Sequence, residues 1–283
     1  MHAMLLMLLL SVPAPGVSAL QRAQDCNLAQ PWLMPAAAVD SVLVAEARLT
    51  EAQRAGRWAR RFADAPAEYR FGLDRGGYAA EGLLVRDDRH DCVSLLYRVT
   101  ELARAGSAAD AVRLALATRF AGADPESVVT ADGRVDYDRP EHLDFSLDMV
   151  RSGHWGADVT ASLAGAVRDS AGSSRYPPGS FHYLPALDVT QANLREGDVA
   201  WLVLSPAHPQ AAGLRREHGL VIGHIGILIM EDERPWLVHA ARSGLPGWYE
   251  GGRVAKVPLE VYLERVERFC GVVITRLGAT ASD

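Results

Sequence analysis

The chain has 283 residues, of which 49% are hydrophobic and 23% are charged, a composition typical of a globular protein with a full core. Its formal net charge of −6 disfavours a nucleic-acid-binding function, because such proteins usually present a positively charged surface. No long linker rich in Pro, Gly or Ser separates the periodic segments, so residues 20–283 are predicted to form a single domain.

The N-terminus has the pattern of an export signal. Residues 4–12 form a short apolar run, and Val17-Ser18-Ala19 has the small-x-small form of a cleavage site. We therefore predict a signal peptide over residues 1–19, with cleavage after Ala19, and an exported protein that is periplasmic or extracellular. The run is too short to span a bilayer, so the mature chain is predicted to have no transmembrane segment. Because no Lys or Arg precedes the run, a disordered hydrophobic tail is the alternative.

Helical periodicity dominates the part of the chain before residue 150. Apolar residues recur there three or four positions apart, and cap residues such as Asp91 and Ser107 mark helix starts. The predicted helices cover residues 40–63, 92–106, 108–120 and 141–150. The segments predicted to lack regular structure, which are rich in Pro, Gly or Ser, cover residues 20–39, 67–91, 121–140 and 170–182.

From Gly197 the pattern changes to short β-branched runs separated by hairpin-length gaps. The predicted strands cover residues 199–204, 222–230, 236–242, 254–258 and 271–277, with a helix over residues 261–268. Helices first and strands second, without β–α–β alternation, predict an α+β fold with a C-terminal antiparallel sheet.

Cys92 is a candidate nucleophile because it stands at a predicted helix start. Asp91 precedes it as an N-cap, and Cys92, Leu96 and Val99 begin an apolar helical stripe. Unpaired backbone N–H groups and the helix dipole favour an anion in the first turn, which predicts a lowered thiol pKa. The alternative is that Cys92 is a small buried apolar residue, as most cysteines are.

Two histidines occupy consecutive predicted strands. A hairpin centred near residue 232 places His224 opposite residues 239–241, so that His224 and His239 are neighbours on one face of the sheet. One imidazole could then act as the general base for a thiol while the other orients it. Each could instead be a core histidine, or both could bind zinc together with Cys92. The short local spacing usual for metal ligands is absent from the sequence, so no metal is predicted.

Three cysteines in an exported chain leave one without a partner. If Cys92 stays free, Cys26 and Cys270 can form a disulfide that joins the N-terminal arm to the last strand. Sequence separation does not show whether the two sulfurs are close enough to bond.

These residues carry a resemblance to a known family. The motifs on which the resemblance rests are Asp91-Cys92 at a helix start, Gly197-Asp198 before a strand, His224-Ile225-Gly226-Ile227, and His239 on the next strand. They resemble the NlpC superfamily of cell-wall cysteine hydrolases, and within it the N-acetylmuramoyl-L-alanine amidase-like family. The resemblance spans residues 45–277. Four further stretches support it, over residues 65–73, 135–142, 156–160 and 257–263.

The resemblance implies a papain-like fold in which Cys92 is the nucleophile, His224 the general base and His239 the polar third residue. It also implies that Tyr69 and the backbone N–H of Cys92 stabilise the oxyanion. The residues implied in substrate contacts are Asp91, Tyr137, Arg139 and His142. A guanidinium such as that of Arg139 can bind both oxygens of a stem-peptide carboxylate. No cofactor is implied.

The implied function is that of a cysteine amidohydrolase acting on peptidoglycan fragments, at the amide between N-acetylmuramic acid and L-alanine. Cleavage between γ-D-glutamate and the diamino acid of the stem peptide is the alternative, and the residues alone do not separate the two. Two further hypotheses are a non-catalytic cell-wall-binding module and an acyltransferase, in which an acceptor other than water resolves the thioester.

Overall fold

The computed structural model describes residues 17–71, 81–143, 147–171 and 179–279. Most of the helices lie in the N-terminal half of the chain and most of the strands in the C-terminal half, which confirms the predicted α+β fold. The helices are α1 (Ala19–Leu28), α2 (Ala36–Ala45), α3 (Glu51–Asp64), α4 (Cys92–Arg104), α5 (Ala108–Arg119), α6 (Pro125–Val128), α7 (Leu147–Ser152), α8 (Pro209–His218) and α9 (Leu259–Arg265).

Ten strands form one sheet within these residues. They are β1 (Glu68–Tyr69), β2 (Arg89–His90), β3 (Ala157–Asp158), β4 (Val167–Ala171), β5 (Gly179–Pro185), β6 (Val199–Leu204), β7 (Ile222–Glu231), β8 (Arg234–Ala241), β9 (Arg253–Pro258) and β10 (Phe269–Arg276). The order along the sheet is β2-β1-β9-β8-β7-β6-β10-β5-β4, with β3 paired to β10. All these pairs are antiparallel except β1 with β2. The five predicted strands are confirmed to within two residues at each end.

Two apolar layers cover the two faces of the central strands. On one face, called here the α4 face, Ile227, Ile229 and Val238 pack with residues of α3, α4 and α5. On the opposite face, called the α9 face, Leu228 and Leu237 pack with residues of α9. Side chains alternate along a strand, so neighbouring residues of β7 and β8 meet different layers. The predicted packing of the Cys92 helix on the antiparallel sheet is confirmed.

The arm predicted to lack regular structure over residues 20–39 contains α1 and the start of α2, so that prediction was wrong. The Asn27 side chain, on a residue only 1% exposed, accepts hydrogen bonds from the backbone N–H groups of Leu84 (2.7 Å) and Val85 (3.0 Å). The segment after α1 is held in the same way, since the Leu33 N–H donates to Asp87 Oδ2 at 2.9 Å. Tertiary contacts to the segment upstream of Cys92 therefore order this part of the chain.

The single helix predicted over residues 40–63 is divided into α2 and α3 by a turn at residues 46–49. Thr50 and Gln53 form a capping box at the start of α3. Thr50 Oγ1 accepts from the Gln53 N–H at 3.2 Å, and Gln53 Oε1 accepts from the Thr50 N–H at 3.0 Å. These side-chain bonds satisfy backbone donors that a continuous helix would have used internally.

Other segment predictions need smaller corrections. Of the helix predicted over residues 141–150, residues 141–143 are not helical, residues 144–146 lie outside the described ranges, and the described helix covers Leu147–Ser152. The surface loop predicted over residues 170–182 overlaps the hairpin of β4 and β5, although residues 172–178 are not described. Phe181 of β5 is 7% exposed and joins the core, which orders this strand despite its polar surroundings. The stretch predicted as irregular over residues 67–91 contributes β1 and β2.

A buried ionic network supports α4 from behind. Arg98 and Glu101 of α4, Arg119 of α5 and Asp87 are all at most 3% exposed. Arg98 Nε bonds Asp87 Oδ1 at 2.8 Å and Arg119 Nε bonds Glu101 Oε1 at 2.7 Å. Each guanidinium also lies over an aromatic ring, Arg98 over Trp32 and Arg119 over Tyr97. Every charge in this desolvated group is paired, which is the condition under which such groups are tolerated in a core.

Only the last residues of the predicted export signal lie within the described ranges. Residues 1–16 lie outside the description, and α1 begins at Ala19, with Ser18 as its N-cap. In the described ranges, no helix has both the length and the apolar character needed to cross a membrane.

Candidate active site

Cys92 is the first residue of α4, as predicted. Asp91 is the N-cap: its carboxylate accepts from the Ser94 backbone N–H at 2.8 Å, and its own N–H donates to Ser94 Oγ at 2.9 Å. This capping box fixes the first helical turn. Cys92 is only partly buried, so its sulfur is presented at the positive end of the helix dipole with a route to solvent. The implied contact of Asp91 with substrate stays a prediction, because this 6% exposed residue is already used as the cap.

The edge of the sheet places Tyr69 beside this helix start. Strands β1 and β2 pair Tyr69 with His90, and Asp91 and Cys92 follow directly. Burial raises the pKa of Tyr69, and the charges of Cys92 and Asp91 raise it further. The phenol therefore stays protonated at neutral pH, as a hydrogen-bond donor to an oxyanion must be. The oxyanion role itself stays a prediction.

His224 of β7 and His239 of β8 are hydrogen-bonded neighbours, which confirms the predicted juxtaposition. His224 Nε2 lies 2.8 Å from His239 Nδ1, and the two rings are nearly perpendicular at 87°. One of these nitrogens donates and the other accepts, so His224 Nδ1 is the nitrogen left for a third group. The hairpin register, with Ile227 opposite Val238, sets the two imidazoles diagonally across neighbouring strands.

Both imidazoles are neutral at physiological pH. Burial lowers the pKa of His224 to about 4, and the positive charge of Arg268 contributes to the lowering. Burial also lowers the pKa of His239 well below its usual value of 6.5, and His224 adds to the effect. A neutral imidazole is the form that can accept a proton, so His224 is in the basic form that the predicted role needs.

Strand alternation separates the imidazoles from the body of α4. His224 and His239 contact the ring of Tyr262 on the α9 face, whereas Ile227 and Val238 pack under α4. The body of α4 therefore packs on the face of the sheet opposite the two histidines.

A β-bulge brings the start of β7 close to Cys92. The register of β7 against β6 shifts between the pairs Leu202–His224 and Val203–Ile222, and such shifts redirect side chains. Gly223 occupies the shift, where a Cβ would lie 2.4 Å from the Leu204 side chain. As a result, Ile222 belongs to the apolar cluster against which Cys92 packs, while His224 faces the other layer.

Tyr262 connects the thiol and the imidazole electrostatically. Its ring is 6.1 Å from that of His224 and 4.8 Å from that of His239, between centroids. Burial raises the pKa of Tyr262, and neighbouring Tyr249 and Cys92 raise it further. Cys92 is thus close enough to act on a phenol that contacts both imidazoles. The catalytic roles of the three residues stay predictions.

The three other residues implied in substrate contacts lie in a different environment. Tyr137 donates to the Leu83 carbonyl at 2.6 Å, and its ring meets that of His142 edge-on at 5.2 Å. Both rings pack against Phe120. Arg139 forms an ion pair with Glu141 at 3.1 Å. These contacts give Tyr137 and His142 a packing function, and a contact of the three residues with substrate stays a prediction.

The predicted disulfide between Cys26 and Cys270 was wrong, because all three cysteines of the chain are free thiols. Cys26 is exposed on α1, whereas Cys270 is partly buried on β10, with its sulfur 3.7 Å from the Val203 carbonyl oxygen. The two residues therefore belong to elements that fold against different parts of the core. In the part of the chain that the structure describes, no three His, Cys, Asp or Glu residues are grouped so that they could hold a metal ion.

Four residues around the site were missed by the sequence analysis. Two are tyrosines, Tyr262 and Tyr249, whose rings lie 4.8 Å and 5.3 Å from that of His239. The other two are arginines, Arg242 and Arg268, whose charges act on Tyr69 and His224 respectively. Tyr262 lies in one of the stretches that carry the family resemblance, which was an available signal. The arginines have no sequence signal, because the sheet order alone brings β8 and β10 to this site.

No protein-family model and no curated protein matches the sequence. Solved structures do match the fold. An N-acetylmuramoyl-L-alanine amidase from Bacteroides uniformis is 19% identical, with a TM-score of 0.58 over 80% of this chain and 98% of that chain. A Legionella pneumophila protein of the family DUF1460 is 15% identical, with a TM-score of 0.62 over 86% and 94% of the two chains. A proposed xylanase from Bacteroides fragilis is 18% identical, with a TM-score of 0.56 over 78% and 99%.

Similarity at this level of identity establishes a shared fold and leaves the reaction open, since one fold carries many functions. The matches cover nearly the whole length of the solved chains, so the likeness concerns the complete fold rather than one motif. The chain therefore has the α+β fold of these cell-wall amidase-like structures, with a thiol at the start of α4 and two hydrogen-bonded imidazoles on β7 and β8.

Proposed function

We propose that the protein is an exported cysteine amidohydrolase that cleaves the amide between N-acetylmuramic acid and L-alanine in peptidoglycan fragments. The observation that carries the proposal is the 2.8 Å hydrogen bond between His224 and His239, whose rings contact Tyr262, a phenol on which the charge of Cys92 at the start of α4 acts. The likeness to a Bacteroides uniformis N-acetylmuramoyl-L-alanine amidase supports the choice of bond.

The proposed reaction has two halves. In the first, His224 Nδ1 takes the proton of the Cys92 thiol, and the sulfur attacks the lactyl carbonyl carbon of the muramoyl group. The oxyanion accepts hydrogen bonds from the Tyr69 hydroxyl and the Cys92 backbone N–H. His224 then gives its proton to the leaving L-alanyl nitrogen, the C–N bond breaks, and a thioester remains.

In the second half, His224 removes a proton from water, and the hydroxide attacks the thioester carbonyl. The C–S bond breaks, the sulfur recovers the proton, and the muramoyl carboxylic acid leaves. No cofactor enters either half. His239 is a positioning residue in this scheme. Its Nδ1 is hydrogen-bonded to Nε2 of His224, which orients the His224 ring so that its Nδ1 is directed to the Cys92 sulfur. The surrounding Tyr262 and Tyr249 rings hold His239 in an apolar environment that keeps it neutral.

The test is mass spectrometry of defined muropeptides after incubation with the protein. N-acetylmuramoyl tripeptide should yield free N-acetylmuramic acid and intact tripeptide. Cys92→Ala should abolish the products, whereas Cys26→Ala, which removes the exposed cysteine on α1, should leave the rate unchanged. Products cut between glutamate and the diamino acid would replace the proposed bond by the endopeptidase alternative. Release of fragments by Cys92→Ala would refute the thiol mechanism altogether.

Two other outcomes correspond to the remaining alternatives. Tight binding of muropeptides without cleavage would identify a binding module. Formation of an amide when an amine is added, in place of the free acid, would identify an acyltransferase.

Export is proposed from the sequence pattern of residues 1–19. Expression of the complete chain in a bacterium with a periplasm, followed by fractionation and intact-mass measurement, tests it. A periplasmic chain shortened by 19 residues is the expected product, and a full-length cytoplasmic chain would contradict the proposal.

A further inference from the structure

Arg268 stands at the rim of the site on the side of the general base. It directly precedes β10, and its guanidinium carbon lies 5.2 Å from the centroid of the Phe269 ring. Phe269 stacks on the ring of His224, with 6.3 Å between centroids and 23° between planes. The Arg268 carbonyl accepts from the Ser205 N–H at 2.8 Å, which fixes the backbone from which the side chain extends. The Phe269 ring therefore contacts both the guanidinium and the imidazole.

The Arg268 side chain is exposed, and no ion pair to a carboxylate is found for it within the described ranges of the chain. Its charge is nevertheless felt in the site, because it contributes to lowering the pKa of His224, after burial. In a chain with a net charge of −6, an unneutralised cation beside the general base is not explained by folding. A guanidinium in this position suits a ligand that brings its own negative charge.

The chemistry of the reaction fixes which part of the substrate lies on this side. His224 gives its proton to the leaving nitrogen, so the leaving peptide extends past His224 rather than past Tyr69. In a muropeptide that peptide begins with L-alanine followed by γ-linked D-glutamate. The first carboxylate beyond the cleaved amide is therefore the α-carboxylate of D-glutamate.

We propose that Arg268 is a specificity-determining residue that binds this first carboxylate of the leaving peptide through its planar pair of N–H groups. The inference rests on the proposed amidase function, because it takes the leaving group from that reaction. It assigns the chain a preference for substrates whose glutamate carries a free α-carboxylate over those in which the group is an amide.

Two substrates that differ only in this group provide the test: N-acetylmuramoyl-L-alanyl-D-glutamate and N-acetylmuramoyl-L-alanyl-D-isoglutamine. The wild-type protein is expected to cleave the first with a kcat/KM about tenfold higher, the size of effect that one exposed charge-assisted contact provides. Arg268→Gln should bring this ratio close to one. Arg268→Lys, which keeps the charge without the fork, should keep part of it. Raising the salt concentration should reduce the wild-type ratio.

Arg265→Gln is the matched control, since Arg265 is an exposed arginine three residues away in the last turn of α9. It should leave the ratio at the wild-type value. A wild-type ratio near one, or a ratio that Arg268→Gln leaves unchanged, would overturn the inference while the amidase function stands. Loss of the ratio in Arg242→Gln instead would move the carboxylate to the Tyr69 side and equally overturn it. Failure of the wild-type protein to cleave either substrate would refute the proposed function itself.

Discussion

Mild acid is predicted to destabilise the fold through His90, which directly precedes the N-cap of α4 and takes no part in the proposed chemistry. His90 is 0% exposed and is packed edge-on against Phe62, with 5.0 Å between ring centroids. Its Nε2 is buried without a hydrogen-bond partner among the described residues. Burial lowers the pKa of His90 to about 4, from 6.5. The imidazole is therefore neutral in the folded protein at any pH above 5.

The sign of the effect follows from the difference between the two states. On acidification the unfolded chain binds a proton at His90 first, near pH 6.5, whereas the folded chain does so only near pH 4. Stability is therefore complete above pH 6.5, falls between pH 6.5 and pH 4, and reaches its full loss below pH 4. The difference between the two pKa values corresponds to a total loss of about 3.4 kcal/mol in the free energy of unfolding at low pH. Of this, about 1.8 kcal/mol is lost between pH 7 and pH 5.

Urea denaturation at pH 7 and pH 5 measures this difference for the wild-type protein and for His90→Leu. The variant cannot bind the proton, so its loss of stability between the two pH values should be smaller than that of the wild type by about 1.8 kcal/mol. The comparison uses only the change with pH, so any cost of the substitution that is the same at both values cancels. If the variant and the wild type lost the same free energy on acidification, the assignment of a neutral buried His90 would be wrong.

Three further predictions concern the site and its support. Burial lowers the pKa of His224 to about 4, so kcat/KM for a muropeptide should stay constant from pH 7 down to about pH 5, measured on protein that is still folded. A kcat/KM that falls to half near pH 6.5 would exclude His224 as the base. Asp91→Ala removes the N-cap of α4 and should reduce the free energy of unfolding, measured in urea, by about 1 kcal/mol, whereas Asp91→Asn should change it little. Equal stability of the wild type and both variants would refute the capping role. Glu101→Gln leaves Arg98 and Arg119 buried without their shared carboxylate and should reduce the free energy of unfolding by about 3–5 kcal/mol. A reduction below about 1 kcal/mol would show that the network is solvated.

The C-terminal strands β6, β7, β8 and β10 could be predicted from the sequence because each contains a short apolar run. All six residues of β6 are buried, so the strand has no polar interruption that could hide its limits. The proximity of His224 and His239 followed from the same property, since a two-residue turn at Asp232-Glu233 fixes the register of β7 against β8. Contacts that depend on a single hairpin are local in the sequence and could therefore be predicted.

The N-terminal helices could not be predicted in the same way, because their order depends on distant parts of the chain. Asn27 in a polar stretch suggests a loop, yet it is buried against the backbone of Leu84 and Val85. Arg98 and Glu101 have the spacing of a solvent-exposed helical ion pair, but α5 covers them and supplies Arg119. In each case a residue type that is usually exposed is buried with partners that only the tertiary structure reveals.

The register shift at the start of β7 was also beyond the sequence pattern. Simple alternation from Leu228 back to His224 gives the α9 face for the histidine, but it does not foresee that Gly223 lies toward the same face and Ile222 toward the opposite one. Glycine inside a strand is the local signal of such a bulge, and Gly223 was the residue that carried it. The rim position of Arg268 required the order β7-β6-β10, which no single hairpin determines.

The contacts of Asn27 have a consequence for the maturation of the chain. Together with the Asp87 N–H, which donates to the Pro31 carbonyl at 2.7 Å, they attach the first helix to the stretch that leads to Cys92. A protease that cut after Ala19 would remove one helix cap, whereas a cut beyond Asn27 would strip the buried N–H groups of Leu84 and Val85 of their acceptor. The predicted processing site and the contacts that hold the segment before Cys92 therefore lie in one short piece of polypeptide, and shortened recombinant chains are expected to need a start upstream of Asn27 to fold stably.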